Sequence, residues 1–236
     1  MPDDLDDVLA LKASAKSARA DKDWANAIED LEEAVQLLRQ DWPDAATRHR
    51  NVLASELADS YGMLGGIHRR WGLSQMGADR QHHLKESTAN YDQGFLYEKS
   101  LDASDASTYN RINRLVSRVL QDPNVLLADD PTGLDVKHEL EQAEEIVIEQ
   151  LESVRRKDPW AHCDLGVIHL LLGRPGALHS FHAIDRLHPK PFVYESILDT
   201  LEPLSAVASK LRPELAEAVR IVRNSARVRG FETLDR

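Results

Sequence analysis

Proline and glycine divide the chain into helix-length segments, and this punctuation most constrains its fold. Neither residue continues a helix readily, because proline lacks the backbone N–H and glycine loses the most conformational entropy. Between these breakers apolar residues recur at three- and four-residue steps, as at Ile28, Leu31, Val35 and Leu38. The period-2 alternation of strands is absent, and even Ile146–Ile148 lies in a glutamate-rich helical pattern. We therefore predict an all-α fold.

The pattern predicts about ten helices joined by short loops, which is typical of a hairpin array or α-solenoid. The predicted helices are Asp4–Arg19, Asp23–Arg39, Ala45–Trp71, Asp79–Leu101, Asp105–Leu120, Leu134–Lys157, Trp160–Leu172, Gly176–Leu187, Phe192–Leu211 and Glu214–Val228.

The charge balance argues against nucleic-acid binding. There are 29 Lys and Arg residues against 40 Asp and Glu residues, and the resulting net charge of −11 repels a phosphate backbone. No apolar run reaches the roughly 18 residues of a membrane-spanning helix. Met1–Leu9 is acidic, where a signal peptide is basic and then apolar. We therefore expect a cytoplasmic protein that binds neither nucleic acid nor membrane.

An internal repeat is the most specific signal in the chain. Three segments place a small residue, a larger residue four positions later and another small or apolar residue three positions after that on one helix face. These triplets are Ala27, Leu31 and Ala34; Ser87, Tyr91 and Gly94; and Ala177, Phe181 and Ile184. Matching first helices precede the second and third triplets, at Tyr61–Gly72 and Leu165–Gly173. The pattern predicts helical hairpins in which glycines allow close packing.

The third unit resembles the tetratricopeptide repeat family. Its matching residues, with one position missing after the turn glycine, are Leu165, Gly166, Gly173, Ala177, Phe181 and Pro189. The first unit has Ser14 and Ala15 in place of the Leu-Gly pair, and the second carries an insertion over Gly72–His83. The resemblance implies one helical repeat domain over 1–236, with units at about 5–39, 45–101 and 159–189 and capping helices over 192–228. Proteins of this family hold protein or peptide partners in a groove.

A further resemblance concerns the middle of the chain. The runs Asp59–Arg70, Tyr91–Gly94 and Tyr109–Arg114 are similar to the repeat-like regulatory region of the apoptosis signal-regulating kinases, their TRAFs-binding domain, and its bacterial relatives. This resemblance implies a non-catalytic scaffold that binds partners and regulates an effector enzyme or signalling protein.

Arginine and asparagine side chains form the candidate partner-binding site. Arg111, Arg114 and Arg118 share one helix face beside Asn110 and Asn113, and such side chains present forked donors to carboxylates or phosphates. The predicted binding residues are Tyr61, Arg69, Arg70, Asn110, Asn113, Arg114 and Arg118. Two alternatives remain open, a solvated face or pairing with the acidic helix that follows at Glu139–Glu149.

Two other functions remain as alternatives to a scaffold. The histidines of 162–188, with the single cysteine Cys163, could serve a metal-dependent or thiol enzyme. The acidic surface could instead mask a basic effector, as an inhibitory subunit does. The phosphate-binding loop, the dinucleotide-binding glycine motif and the serine nucleophile motif are absent from the sequence. We therefore predict a protein that is not an enzyme and needs neither cofactor nor metal.

Overall fold

The computed structural model describes residues 5–42, 47–101, 107–127 and 136–230, and within these ranges it contains helices and no strand. The all-α prediction is confirmed. The ten α-helices are α1 (Leu5–Ala20), α2 (Trp24–Asp41), α3 (Thr47–Ser74), α4 (Gly77–Glu98), α5 (Tyr109–Gln121), α6 (Val136–Glu152), α7 (Pro159–Leu172), α8 (Ala177–Arg186), α9 (Pro191–Ala208) and α10 (Glu214–Val228). A 3₁₀ helix spans Pro123–Leu126. None of the described helices is both long enough and apolar enough to cross a membrane.

The largest difference from the predicted helix ends concerns α6. The prediction carried it to Lys157, but it ends at Glu152 and a series of turns follows. Arg155 explains the early end, because its backbone N–H donates to the carbonyl of Gln150 at 2.7 Å and its Nε donates to Asp158 at 2.7 Å. Asp158 in turn caps α7 by accepting from the N–H of Trp160. The predicted starts at Asp4, Ala45, Asp105 and Leu134 lie outside the described residues.

The chain divides into two compact units, Met1–Ser117 and Arg118–Arg236. The boundary falls inside the residue range of α5. The division does not test whether residues 1–236 form one continuous repeat domain, which stays a prediction.

In the first unit, successive helices pack against each other, α1 on α2, α2 on α3 and α3 on α4. The core is built from the apolar stripes that the helical spacing predicts, with Leu31, Leu57 and Ile67 almost fully buried. A buried lysine also links α1 to α3. The Nζ of Lys12 lies 2.6 Å from Glu56 and 2.5 Å from Asp59, and these carboxylates hold the lysine pKa above its usual value despite the opposing effect of burial.

In the second unit, α7 packs on α6 and α8, and α10 packs on α8 and α9. Gly173 ends α7 in the left-handed conformation, at a φ of 66°. Arg212 lies beside that end: its Nε donates to the carbonyl of Leu171 at 2.8 Å, and its Nη2 donates to the carbonyl of Leu126 at 3.3 Å. The guanidinium therefore satisfies carbonyls at the ends of two helices.

The small-to-aromatic spacing of the sequence repeat corresponds to the same contact in both units. Gly65 on α3 packs on the ring of Tyr91 on α4, and a Cβ built on this glycine would lie 2.8 Å from the ring. Gly166 on α7 packs on the ring of Phe181 on α8, where the same distance is 2.7 Å. In each hairpin a glycine lets the aromatic ring touch the backbone of the first helix.

Because of this contact, we predict that replacing either glycine by alanine changes the stability of the protein in the opposite direction from the usual one. Replacing a helical glycine by alanine normally stabilises a helix by about 1 kcal/mol. We expect Gly65→Ala and Gly166→Ala to destabilise the protein by about 1–2 kcal/mol, because the added methyl overpacks a buried ring. Chemical denaturation measures the change, and Ser55→Ala at an exposed position of α3 serves as the control. A stabilising effect of both glycine variants would contradict the packing described.

Candidate functional site around helix α5

Helix α5 buries its polar side chains as well as its apolar ones. Every residue from Asn110 to Ser117 is buried, including Asn113 and Arg114, each with 8% of its surface exposed. The interpretation of the Arg and Asn pattern as a solvated face does not describe this helix, because these side chains contact neighbouring helices.

Asn110 holds α5 against both helices of the α3–α4 hairpin. Its Nδ2 donates to the carbonyl of Ala58 at 2.9 Å and to Oε1 of Glu98 at 3.0 Å. A Cβ on Gly62 would lie 2.8 Å from its Oδ1, and one on Gly94 would lie 2.6 Å from its Cγ. Two glycines on two helices therefore form the space that the asparagine side chain fills.

Glu98 completes this arrangement as a buried cap for α5. Its carboxylate, on a residue only 3% exposed, accepts from the backbone N–H of Asn110 at 3.2 Å. The first N–H groups of a helix lack partners inside the helix, and the helix dipole favours a negative charge there. Burial lowers the pKa of the neighbouring Arg111, while the charge of Glu98 opposes that shift.

Two of the arginines of α5 surround an aromatic ring. The guanidinium carbons of Arg111 and Arg114 lie 5.4 Å and 4.6 Å from the ring centroid of Phe95 on α4. Arg114 also donates to Oδ1 of Asp92 at 3.1 Å. These cation–π and ionic contacts hold α5 against α4. A hydrogen bond between Ser87 of α4 and Ser117 of α5 joins the same two helices, with the hydroxyl oxygens 3.0 Å apart.

Arg69 and Arg70 approach this cluster from α3. Nη1 of Arg69 donates to Oδ1 of Asn113 at 2.6 Å, and its guanidinium carbon lies 5.9 Å from the ring centroid of Tyr91. Nη1 of Arg70 makes a long, 3.4 Å contact to the carbonyl of Gly66. Arg69 is 4% exposed, whereas Arg70 is half-buried and reaches the surface.

The remaining two predicted binding residues, Tyr61 and Arg118, contact residues outside this cluster. Tyr61 is buried and stacks on Tyr97, with ring centroids 5.9 Å apart, and Trp42 meets Tyr97 edge-on. Arg118 lies 3.5 Å from Glu139 of α6, which is the pairing with the acidic helix that the sequence left open. The structure therefore brings Arg69, Asn113 and Arg114 into the polar cluster, together with Asn110.

A partly exposed stripe of α3 runs beside this cluster. We call the α3 stripe the residues Val52, Asp59, Met63, Gly66 and Arg70, which follow each other at steps of three, four and seven residues on one helix face. Val52 is 43% exposed and the Asp59 side chain 57% exposed, whereas Met63 and Arg70 are half-buried and Gly66 is buried.

Two helices flank the α3 stripe. On one side lies α1, whose Lys12 binds Asp59. On the other side lies α5, where the ring of Tyr109 covers Gly62 and its hydroxyl approaches Gly66. Tyr109 itself is 44% exposed.

Tyr109, Tyr91 and Gly66 are functional candidates that the site prediction missed. All three lie in the segments that carry the family resemblance, but nothing in the sequence indicates that their atoms meet. Tyr109 is the first residue of α5, and Gly66 and Tyr91 belong to two different helices. The paired glycines Gly65 and Gly66 are the only available signal, because they indicate close approach to α3.

In the histidine-rich segment of the second unit, one histidine lies beside a carboxylate. Nε2 of His169 lies 3.0 Å from Glu144, yet burial lowers the pKa of this histidine overall. Cys163 is buried. In the part of the chain that the structure describes, no three His, Cys, Asp or Glu residues are grouped as a metal site requires.

Comparison with known proteins gives no match: no family model, no curated protein and no solved structure is significantly similar to the chain. The resemblance to tetratricopeptide repeats therefore stays a prediction.

A buried histidine pair joins α3 and α4 near the turn that connects them. The Nδ1 atoms of His68 and His83 are 3.2 Å apart, so one must donate the proton that the other accepts. The ring of Trp71 stacks on His83 at 3.9 Å. Burial, reinforced by the charges of His83 and His82, lowers the pKa of His68 to about 4. The pKa of His83 is also lowered by burial and His82, although Asp79 and Glu86 oppose that shift.

This pair predicts a loss of stability in acid. The unfolded chain binds the His68 proton near pH 6.5 and the folded chain only near pH 4, so the unfolded state is favoured as the pH falls between these values. We expect the free energy of unfolding, measured by urea titration at pH 7.5 and pH 4.5, to fall less steeply for His68→Leu than for the wild type. His182→Leu, at an exposed histidine, is the control. An unchanged pH dependence in His68→Leu would show that the pair is not responsible.

Proposed function

We propose that this chain is a non-catalytic interaction scaffold that binds a segment of a partner protein along the α3 stripe, between α1 and α5. The observation that carries the proposal is the α3 stripe itself, which is exposed at Val52 and Asp59, half-buried at Met63 and Arg70, and flanked by two helices.

The dimensions of the α3 stripe suit a short peptide. From Asp59 to Arg70 the helix rises about 16 Å, at about 1.5 Å per residue. An extended segment of roughly five residues covers that length. Met63 provides an apolar contact at the middle of this length, and it is half-buried in the free protein.

The charges along the α3 stripe suit an oriented partner. Asp59, whose carboxylate binds Lys12 and is still 57% exposed, lies at one end and Arg70 at the other, so a segment with a basic residue and an acidic residue at its two ends would match them in one direction only. The net charge of −11 favours a protein over a nucleic acid as this partner.

The buried polar cluster supports the same function by holding the α3 stripe in one shape. Arg69, Asn110 and Arg114 bind α5 to α3 and α4, so Tyr109 and Arg70 stand on a fixed frame. In this proposal the other predicted binding residues position the surface, and the partner touches Arg70 and Tyr109. Regulation of an effector enzyme or signalling protein in the cytoplasm is the role that the family resemblance adds to the proposal.

Site-specific crosslinking tests where the partner binds. A photo-crosslinking amino acid at Tyr109 should capture a defined protein in extracts of the source cell, whereas the same group at Met76, which is 88% exposed on the α3–α4 turn, should not. Arg70→Ala should reduce the yield at Tyr109 by at least about fivefold, since it removes one charged contact of about 1 kcal/mol or more.

Arg39→Ala, at an exposed arginine of α2, is the matched control and should leave the yield unchanged. Circular dichroism and melting of all variants should match the wild type. Equal capture at Tyr109 and Met76, or capture that Arg70→Ala does not reduce, would contradict binding along the α3 stripe.

A further inference from the structure

Two aromatic side chains meet at the surface of the second unit, where α7 and α9 begin. The ring centroids of Trp160 and Phe192 lie 6.3 Å apart, with the ring planes tilted by 41°. Phe192 is 53% exposed and Trp160 is half-buried. Each follows the proline that begins its helix, Pro159 in α7 and Pro191 in α9. Because proline fixes its own backbone angle, both rings stand on defined helix starts.

Two cations lie beside Trp160 in the turns between α6 and α7. Arg156 and Lys157 are both exposed. Lys157 lies three positions before Trp160, so their Cα atoms are within about 11 Å of each other. The carbonyl of Arg156 lies 3.3 Å from Nε2 of His162 on the first turn of α7. Both cations are therefore held close to the start of this helix.

A third cation lies beside Phe192. Lys190 is exposed and lies two positions before Phe192, which places their Cα atoms within about 7 Å of each other. We call the aromatic–basic patch the residues Arg156, Lys157, Trp160, Lys190 and Phe192. Within the ranges that the structure describes, its three cations form no ion pair.

The acidic residues near the aromatic–basic patch leave an excess of positive charge. Asp158 and Asp164 lie 2.7 Å and 3.8 Å from Arg155, so they pair with an arginine outside the patch. The exposed acidic residues nearest along the chain are Glu152 and Glu195. The three cations of the patch outnumber these two carboxylates, although the whole chain has a net charge of −11.

We infer that the aromatic–basic patch binds an acidic segment of a partner protein that carries an apolar side chain. The apolar side chain would pack on the exposed ring of Phe192, next to Trp160, and the flanking carboxylates would pair with the three cations. The patch belongs to the second unit, whereas the α3 stripe belongs to the first. The inference therefore goes beyond the proposed function and does not depend on it.

The net charge favours a protein segment over other anionic partners. A bilayer or a nucleic acid presents an extended negative surface, which would repel the rest of a chain whose net charge is −11. A short segment meets the patch alone, because salt screens exposed charges beyond about 8 Å under physiological conditions. The local excess of cations then decides the interaction.

Fluorescence anisotropy of a short labelled peptide of glutamates and leucines, titrated with the full chain, tests the inference. We expect Phe192→Ala to weaken the affinity about fivefold, because the apolar contact is lost. Lys157→Glu combined with Lys190→Glu should weaken it at least about tenfold, because two attractive charges become repulsive.

The matched controls change the same kinds of exposed residue in the first unit. Leu96→Ala removes a leucine that is 56% exposed on α4. Lys16→Glu combined with Lys85→Glu changes the net charge by the same amount as the double variant of the patch. Both controls should bind the peptide as the wild type does. All variants should keep the wild-type helix content by circular dichroism, since each replaced side chain is exposed.

Two altered peptides and a vesicle separate the possible partners. A peptide with glutamine in place of glutamate, and one with serine in place of leucine, should each bind more weakly than the acidic apolar peptide. The inference is overturned if the wild type does not bind the acidic apolar peptide at about millimolar concentration, if either altered peptide binds as tightly, or if the patch variants bind as the controls do. Binding of vesicles of phosphatidylserine and phosphatidylcholine that Phe192→Ala abolishes, without peptide binding, would overturn it in favour of a membrane surface.

Discussion

The insertion of Asn110 between Gly62 and Gly94 is the contact on which the organisation of the first unit depends. Helices α3 and α4 leave no room for a side chain at either glycine, and the asparagine amide occupies that space while it donates to Ala58 and Glu98. A larger residue at any of the three positions would separate α5 from the hairpin. Close packing and hydrogen bonding therefore act at the same point, so α5 can join the hairpin in only one register.

Burial of so many polar groups follows from this register. Once Asn110 is in place, Asn113 meets Arg69 and Arg114 meets Asp92 and Phe95. Such groups are costly to bury singly and favourable only when partners satisfy them together. The same arrangement places Tyr109 beside Gly66 at the edge of the α3 stripe, so the proposed binding surface depends on how α5 docks.

Much of the fold could be predicted from the sequence, because helix periodicity and breakers are local signals. The hairpins at Gly65–Tyr91 and Gly166–Phe181 were visible as a repeated spacing. The end of α6 was not visible in the sequence, because it depends on the hydrogen bonds of Arg155. Its backbone N–H donates to Gln150 and its side chain donates to Asp158. The site could be predicted only in part: the spacing of Arg and Asn residues identified the cluster, but which of them face other helices depends on docking. The convergence of Tyr91, Tyr109 and Gly66 has no sequence signature, because it joins three helices.

Hydrogen exchange of Asn110→Ala, compared with wild type and with the exposed-site variant Asn51→Ala, tests this account most directly. If Asn110 docks α5, its removal should increase amide exchange throughout Tyr109–Gln121 by at least tenfold while α1 and α2 keep their protection. Asn51→Ala should exchange as the wild type does. Unchanged protection of α5 in Asn110→Ala would contradict the account, because the helix would then be held by contacts other than the one on which the polar cluster and the α3 stripe are built.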